Sequence, residues 1–368
     1  IAVMFDAGFA DPAVAQGIRN EGAAISMTSG YIVCQGGFAN NAGTFAPGTG
    51  TVVFTGSGAK TLSGADELVF YNLVVDASGG NVTIPAGTRV TVTGSNFSPG
   101  GKLIIMSDAV DNSGSLIYSG SGTPTGDVTY CRVMPAGSAW HYVSSPVTLT
   151  SSPAGSFYTW DEVAGDWEAG ATATPASGRG YALQTSGNSV SFTGTVALSS
   201  SVNATSPYTT DYGTGYPAEP GSLADYNARW AIGRTVYGGG GWNLLGNPFT
   251  SALRIGGDGG FLDGNDGNGT IATNRFDPNY VAVYIYDGDS YNFRGRTTGF
   301  EDPVLNETPP NEMFGFDNIQ AGQGFFVLAM KSGVSFAFDR GMQTHGTATT
   351  MMKSAVAEGD SWPGLRLK

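Results

Sequence analysis

Two stretches decide the architecture: Trp140-His-Tyr-Val-Ser-Ser-Pro146-Val-Thr148 and Trp242-Asn-Leu-Leu-Gly-Asn-Pro248-Phe-Thr250. They align residue for residue, each with a tryptophan opening an apolar run and a proline closing it. Two further landmarks follow each in the same order. Phe157-Tyr-Thr-Trp160-Asp161 with Trp167 corresponds to Val283-Tyr-Ile-Tyr286-Asp287 with Tyr291. Gly178-Arg-Gly180-Tyr-Ala-Leu183, then Val190-Ser-Phe192, corresponds to Gly322-Gln-Gly324-Phe-Phe-Val327, then Val334-Ser-Phe336. An aromatic strand, a turn at aspartate and an aromatic on the return read as a hairpin. The pattern predicts two related antiparallel β-sandwich modules. Trp140 or Trp242 begins a core strand, and Ser-Pro or Asn-Pro ends it, because proline lacks an amide donor and holds φ. The second copy is longer by about 42 residues, chiefly in Gly256 to Asn274 and Arg296 to Glu312, which are expected to be loops.

Upstream, from Gly22 to Tyr130, the grammar is different. Tyr31-Ile-Val-Cys34, Thr51-Val-Val-Phe54, Tyr71-Asn-Leu-Val-Val75 and Arg89-Val-Thr-Val-Thr93 recur at roughly 20-residue intervals, the length of one solenoid coil, and Lys102-Leu-Ile-Ile-Met106 follows. This predicts a short parallel β-helix with Val33, Phe54, Leu73 and Val92 stacked inside and glycines at the corners. Such a rod has an open strand edge at each end. Ile1 to Asn20, with Phe5, Phe9, Val14 and Ile18, reads as a cap or as another coil. The expected division is a glycine-rich β-helix over residues 1–126, a first sandwich over 127–235 and a second over 236–368. The fold class is therefore all-β.

Composition agrees. Among 368 residues there are 57 glycines and 18 prolines, and charged residues make up 13%, against about 25% in an ordinary domain, which argues against long surface helices. With 17 Lys+Arg against 30 Asp+Glu the net charge is −13, so nucleic acid and anionic lipid surfaces are repelled. No apolar run reaches the ~18 residues of a membrane-spanning helix. A start at Ile1 suits a processed, exported chain. Cys34 and Cys131 are too few for a disulfide framework and, with only His141 and His345, for a Cys/His metal cage. One disulfide and two buried thiols are both compatible with the apolar runs around them.

The element Gly241-Trp-Asn-Leu-Leu-Gly-Asn-Pro248, its companion Ala321-Gly-Gln-Gly-Phe-Phe326, and the glycine-rich runs Gly36 to Phe45 and Gly48 to Gly58 resemble the large secreted and cell-surface proteins of Bacteroidota exported by the type IX secretion system. The resemblance spans Gly36 to Lys368. It implies export through that machinery, an extracellular or outer-surface location and an adhesin-like role. Members of that family continue past the motif at Trp362 to Lys368 into further modules and a sorting domain, so the chain is expected to be processed or part of something longer.

Catalytic constellations are thin. A polysaccharide lyase built on a β-helix clusters acids with a basic residue, and the candidates Asp108, Asp111, Asp127, Lys102 and Arg132 are scattered along the sequence. A serine hydrolase must recruit His141 or His345. His141 follows Trp140, so strand alternation points it away from the tryptophan face, toward solvent or a loop. Glu162, Asp166, Glu168, Glu301 and Asp302 supply glycosidase-like carboxylate pairs, as does any chain with 30 acids. Two binding features stand out. Asp258, Asp263, Asn265, Asp266 and Asn268 set oxygen ligands among glycines in a pattern that suits calcium, without the closing glutamate of an EF-hand. Tyr208, Tyr212, Tyr216, Tyr226 and Trp230 form an aromatic run for a protein interface, a glycan, or the cover of a sandwich edge.

The reading is an extracellular structural or adhesive protein without chemistry of its own, its partners being further copies of itself in a filament or other surface proteins. A carbohydrate-binding module, with or without calcium, and a polysaccharide-degrading β-helix are the alternatives.

Overall fold

The structure, a computed structural model, describes residues 17–108, 112–134, 140–162, 166–168, 174–184, 188–205, 241–265, 275–276, 281–286, 291–295, 317–330 and 332–346. Its N-terminal part is a parallel β-solenoid of about five turns. One side stacks β1 (Ile18–Asn20), β4 (Phe38–Asn40), β7 (Lys60–Gly64), β10 (Val82–Ile84), β13 (Leu103–Met106) and β15 (Val128–Val133). A second stacks β3 (Tyr31–Cys34), β6 (Thr51–Phe54), β9 (Asn72–Val75) and β12 (Phe97–Ser98). The third pairs β2 (Ala24–Ser26) with β5 (Thr44–Ala46) and, further on, β8 (Leu68–Phe70) with β11 (Arg89–Val92) and β14 (Ser115–Tyr118).

Parallel register places like on like. Ile84, Ile105 and Tyr130 form one buried file, Cys34, Phe54 and Val75 another, and Phe70, Val92 and Tyr118 a third. Two of the inward residues expected from sequence are placed differently. Val33 points outward, because Cys34 occupies the inner file and alternation leaves its neighbour outside. Val92 is buried, but it stacks on Phe70 rather than on Leu73. Each coil carries strands on three sides, so a strand one interval further along need not lie on the same side. Cys34 and Cys131 are unpaired thiols, and burial pushes the Cys34 thiol up to about 12.

The solenoid does not end in an open edge on its C-terminal side. There β22 (Ser189–Thr195) pairs antiparallel with β15, with β17 (Thr148–Leu149) beyond it. Leu116 N donates to Thr250 O, and Thr125 N to Phe97 O, which occupies β14 and β12 as well. A single apolar core accordingly runs from Ile18 through Tyr130 to Phe157, Leu183 and Phe192.

The first module contributes β16 (Trp140–Ser144), β18 (Ser156–Tyr158) and β21 (Gly180–Gln184) in one sheet, and the ribbon β19 (Trp160–Asp161) with β20 (Asp166–Trp167). The second contains β23 (Ser199–Asn203), β24 (Trp242–Gly246), β25 (Ala252–Arg254), α1 (Phe261–Asn265), β26 (Ala282–Tyr286), β27 (Tyr291–Gly295), β28 (Asn318–Ile319), β29 (Gly324–Leu328), β30 (Ser335–Asp339) and β31 (Gln343–Thr344). The repeat is reproduced in register. Trp140 faces Gln184 and Ser144 faces Gly180, as Trp242 faces Leu328 and Gly246 faces Gly324. Tyr158 pairs with Ala182 as Tyr284 does with Phe326, and Trp160 with Trp167 as Tyr286 does with Tyr291. Trp140 packs edge-on against Tyr158 and Trp242 against Tyr284, both at 5.0 Å between ring centroids. Gly178 and Gly322 both hold a left-handed φ, +81° and +78°, before the strand that follows. β23 lies ahead of the 235/236 division drawn from sequence and pairs with β30, the part that β15 plays toward β22. The first insertion of the second copy is not wholly loop. It contains α1, whose Phe261 is fully buried and stacks on Phe336 and Phe338.

Candidate functional site

Each module presents its tryptophan strand and its Gly-x-Gly strand to the other. Ser144 N donates to Gly322 O, and at the matching place Gly246 N donates to Gly178 O. Val143 bridges Gln323 while Leu245 bridges Arg179. These contacts are reciprocal, the signature of an isologous, two-fold interface built inside one chain. Tyr142, Trp167, Ala182, Trp242, Leu244, Phe326 and Leu328 fill the seam, flanked by half-buried Trp140 and Trp160. Ser144 Oγ reaches across to donate to Asn247 O at 2.9 Å. Glu162 accepts from Trp160 Nε1 at 2.7 Å and from the backbone N–H of Gly241, tying the first module to the start of β24.

His141 does not face solvent. It is 2% exposed, on the side of β16 away from the seam, and burial next to the Arg132 guanidinium pushes its pKa down to about 4. Arg132 is itself buried and donates to Ser113 Oγ at 3.1 Å. The side chain does point away from the tryptophan face, as alternation requires, but that side is closed off by Arg132 of β15 and not open to solvent. In the second module the same two positions hold Asn243 and Ala204. Asn243 bonds to Thr205 and Gly241 backbone groups, so a neutral amide tied to the backbone takes the place of the imidazole.

His345 joins the second module to the third side of the solenoid. Its ring lies 2.7 Å from Ser115 Oγ, 2.8 Å from Thr91 Oγ1 and 3.4 Å from Glu67. Desolvation lowers its pKa, opposed by Glu67 and assisted by Arg89. This Ser-His-Glu grouping binds through hydroxyls that sit on the outer face of β11 and β14. Ser115 is buried beneath it, and the contact joins the end of the second module to the solenoid. Arg340 Nη1 to Gly120 O at 2.7 Å and Thr250 Oγ1 to Leu116 O at 2.7 Å complete the junction.

The remaining sequence candidates are dispersed. Asp127 accepts from Thr150 Oγ1, just past β17, and Asp108 from Asn112 within its own turn; Asp111, Glu301 and Asp302 lie outside the described residues. Of the calcium candidates, Asn265 is fully buried, and its carboxamide bonds to Phe261 O and to both backbone groups of Ala337, fastening α1 to β30. Asp258 offers its backbone oxygen to Arg254, and Asp266 and Asn268 lie outside the described residues. Among the described residues no group of three His, Cys, Asp or Glu side chains is gathered to hold a metal. Tyr208, Tyr212, Tyr216, Tyr226 and Trp230 also lie outside them. Sequence reasoning did not find the His345 junction, since nothing local marks a histidine as docked on strands more than two hundred residues away.

A family model described as "Domain of unknown function (DUF8693)" matches residues 40–361. The chain belongs to this family. No curated protein and no solved structure matches it. The DUF8693 match begins at the last residue of β4 and extends beyond β31, so it leaves out β1 to β3 and takes in the rest of the solenoid, both modules, the seam and the His345 junction together.

Proposed function

We propose that the chain is an extracellular structural or adhesive component of the cell surface, acting by contact and not by catalysis. The observation that carries this reading is the core running without a break from the solenoid into the first module, with the second module clamped on through the seam and the His345 junction, which suits a rigid element that transmits load. The side chains a reaction would recruit are also engaged in structural contacts: Glu162 on Gly241 and His345 on Ser115 between bodies, and Arg132 on Ser113 within the solenoid. Export by the type IX machinery and contact with other surface proteins belong to the same proposal, on the resemblance at Gly241 to Pro248.

Antibody labelling of intact producing cells, compared with permeabilised ones, tests it. The expected result is equal labelling of both, together with retention of protein-coated beads on a cell or matrix surface. Labelling only after permeabilisation, or depolymerisation of a polysaccharide by the purified chain, overturns it.

A further inference from the structure

The strand β3 is the outer member of its sheet and pairs, among the described residues, with β6 alone. Thr51 N donates to Gly30 O and Thr55 N to Cys34 O. In a parallel ladder both backbone groups of a residue point to the same neighbour and alternate along the strand. Ile32 and Cys34 therefore face β6, and the N–H and C=O groups of Tyr31 and Val33 face away along the solenoid axis. Those same two residues are the large hydrophobics left most open on the described surface, 77% and 62% exposed. Tyr-Ile-Val-Cys is aromatic and β-branched, with no charge, proline or glycine. None of the usual devices that guard an edge strand is present in it.

We infer that this edge pairs with the same edge of a second copy, antiparallel, about a two-fold axis through Ile32. In that register Tyr31 of one protomer lies opposite Val33 of its partner, and Val33 opposite Tyr31. Each pair exchanges two N–H···O=C bonds, so all four open groups on each strand are satisfied at once. A slip by two residues leaves one residue's groups unpaired. The outward side chains of Tyr31 and Val33 come together across the ladder, and the interface is self-complementary by construction. Charge favours this partner as well. On a chain of net charge −13, β3 is an uncharged strand, and pairing it with itself sets no acid opposite another within the ladder.

The other end of the solenoid is occupied by β22, Thr250 and Thr125. Pairing at one end only gives a closed dimer, not an open fibre. This inference stands independently of the adhesive reading, since it concerns only what covers β3.

Light scattering of the full chain during size exclusion tests it. The expected mass is that of a dimer. Val33→Lys, which sets a charge beside the axis and against Tyr31 of the other copy, should weaken dimerisation at least about tenfold, while Val33→Thr, which keeps the strand and its edge, should leave it intact. Ile32→Cys should give a covalent dimer on mild oxidation that the parent chain does not, because facing residues of a non-hydrogen-bonded pair lie about 4.5 Å apart at Cα, within disulfide reach. A monomeric parent chain, a dimer indifferent to Val33→Lys, or a dimer that Ile32→Cys fails to trap overturns the proposal.

Discussion

In the first module the last strand, β22, lies on β15 and extends the solenoid sheet; in the second its counterpart, β30, lies on β23 in a two-stranded ribbon of its own. The inner strands keep one register in both copies. Modules that share a strand plan thus differ in what their outer strand meets, and that partner reshapes the residues behind it. Tyr130, Arg132 and His141 pack the first copy against the solenoid end, where the second copy has Val202, Ala204 and Asn243. The seam between the copies, by contrast, keeps the same backbone register and glycine turns on both sides, while its side chains differ in size, Tyr142 against Leu244 and Ala182 against Phe326.

At the two-fold axis of the seam the two sides must differ. Ser144 and Gly246 are equivalent positions that face each other, and a Cβ on Gly246 would lie 2.1 Å from Ser144 Cβ and 2.9 Å from Arg179 O. One side of the axis has room for a side chain and the other does not. Gly246→Ser should cost upwards of about 3 kcal/mol, at the severe end of overpacking. Adding Ser144→Gly, which transfers the side chain to the opposite face, should recover at least half of that loss in urea unfolding. A double variant no better than Gly246→Ser alone would mean that the axis is not a true pseudo-two-fold.

His141 separates the copies by acid response. Its pKa is about 4 in the folded chain, below the ~6.5 of an exposed histidine. The neutral form is the one the fold accommodates, so the contribution is whole above pH ~6.5 and is lost as pH falls toward 4, by about 2–3 kcal/mol across the window. His141→Asn, the residue of the second copy, should flatten this part of the stability profile. His345, whose pKa is also lowered by burial, contributes to the slope that persists, as do the Glu21 and Asp76 carboxylates, held below their usual range by hydrogen bonds, at the acid end. An unchanged profile would show that the Arg132 side of β16 is wetter than its 2% exposure implies.

What could be read from sequence follows from the same contrast. The repeated tryptophan and Gly-x-Gly strands were legible because both sides of the seam keep the same apolar spacing and the same glycine turns. The inner residue of β3 was not, since Ile32, Val33 and Cys34 are all apolar and alternation has no polar residue to anchor it. The side on which β11 sits was also hidden, because period alone does not say which of three sides a strand joins. β23 went unrecognised as the partner of β30 because Ser199-Ser-Ser-Val-Asn203 shares little with Val128 to Val133 beyond one inward apolar residue. Long-range docking, as at His345 and Arg132, leaves no local mark.

The smallest expected difference isolates that docking. Thr148 and Thr250 are equivalent by sequence, each two residues past the proline. Thr250 is fully buried, with Oγ1 donating to Leu116 O and its carbonyl accepting from Leu116 N. Thr148 is exposed on β17 at the rim of the large sheet. Thr250→Val keeps the shape and removes the hydroxyl, leaving Leu116 O without that donor in a buried place, a loss of about 1–2 kcal/mol. Thr148→Val should stay within about 0.5 kcal/mol of the parent, as a surface change on a strand does. Hydrogen exchange at Leu116 gives the sharper readout, since its amide bonds to Thr250 O and opens only when the second module leaves β14. If Thr250→Val speeds exchange at Leu116 while Thr148→Val does not, the proline-flanked threonine is a docking residue in the second copy alone; equal effects would place the contact between module and solenoid somewhere other than β14.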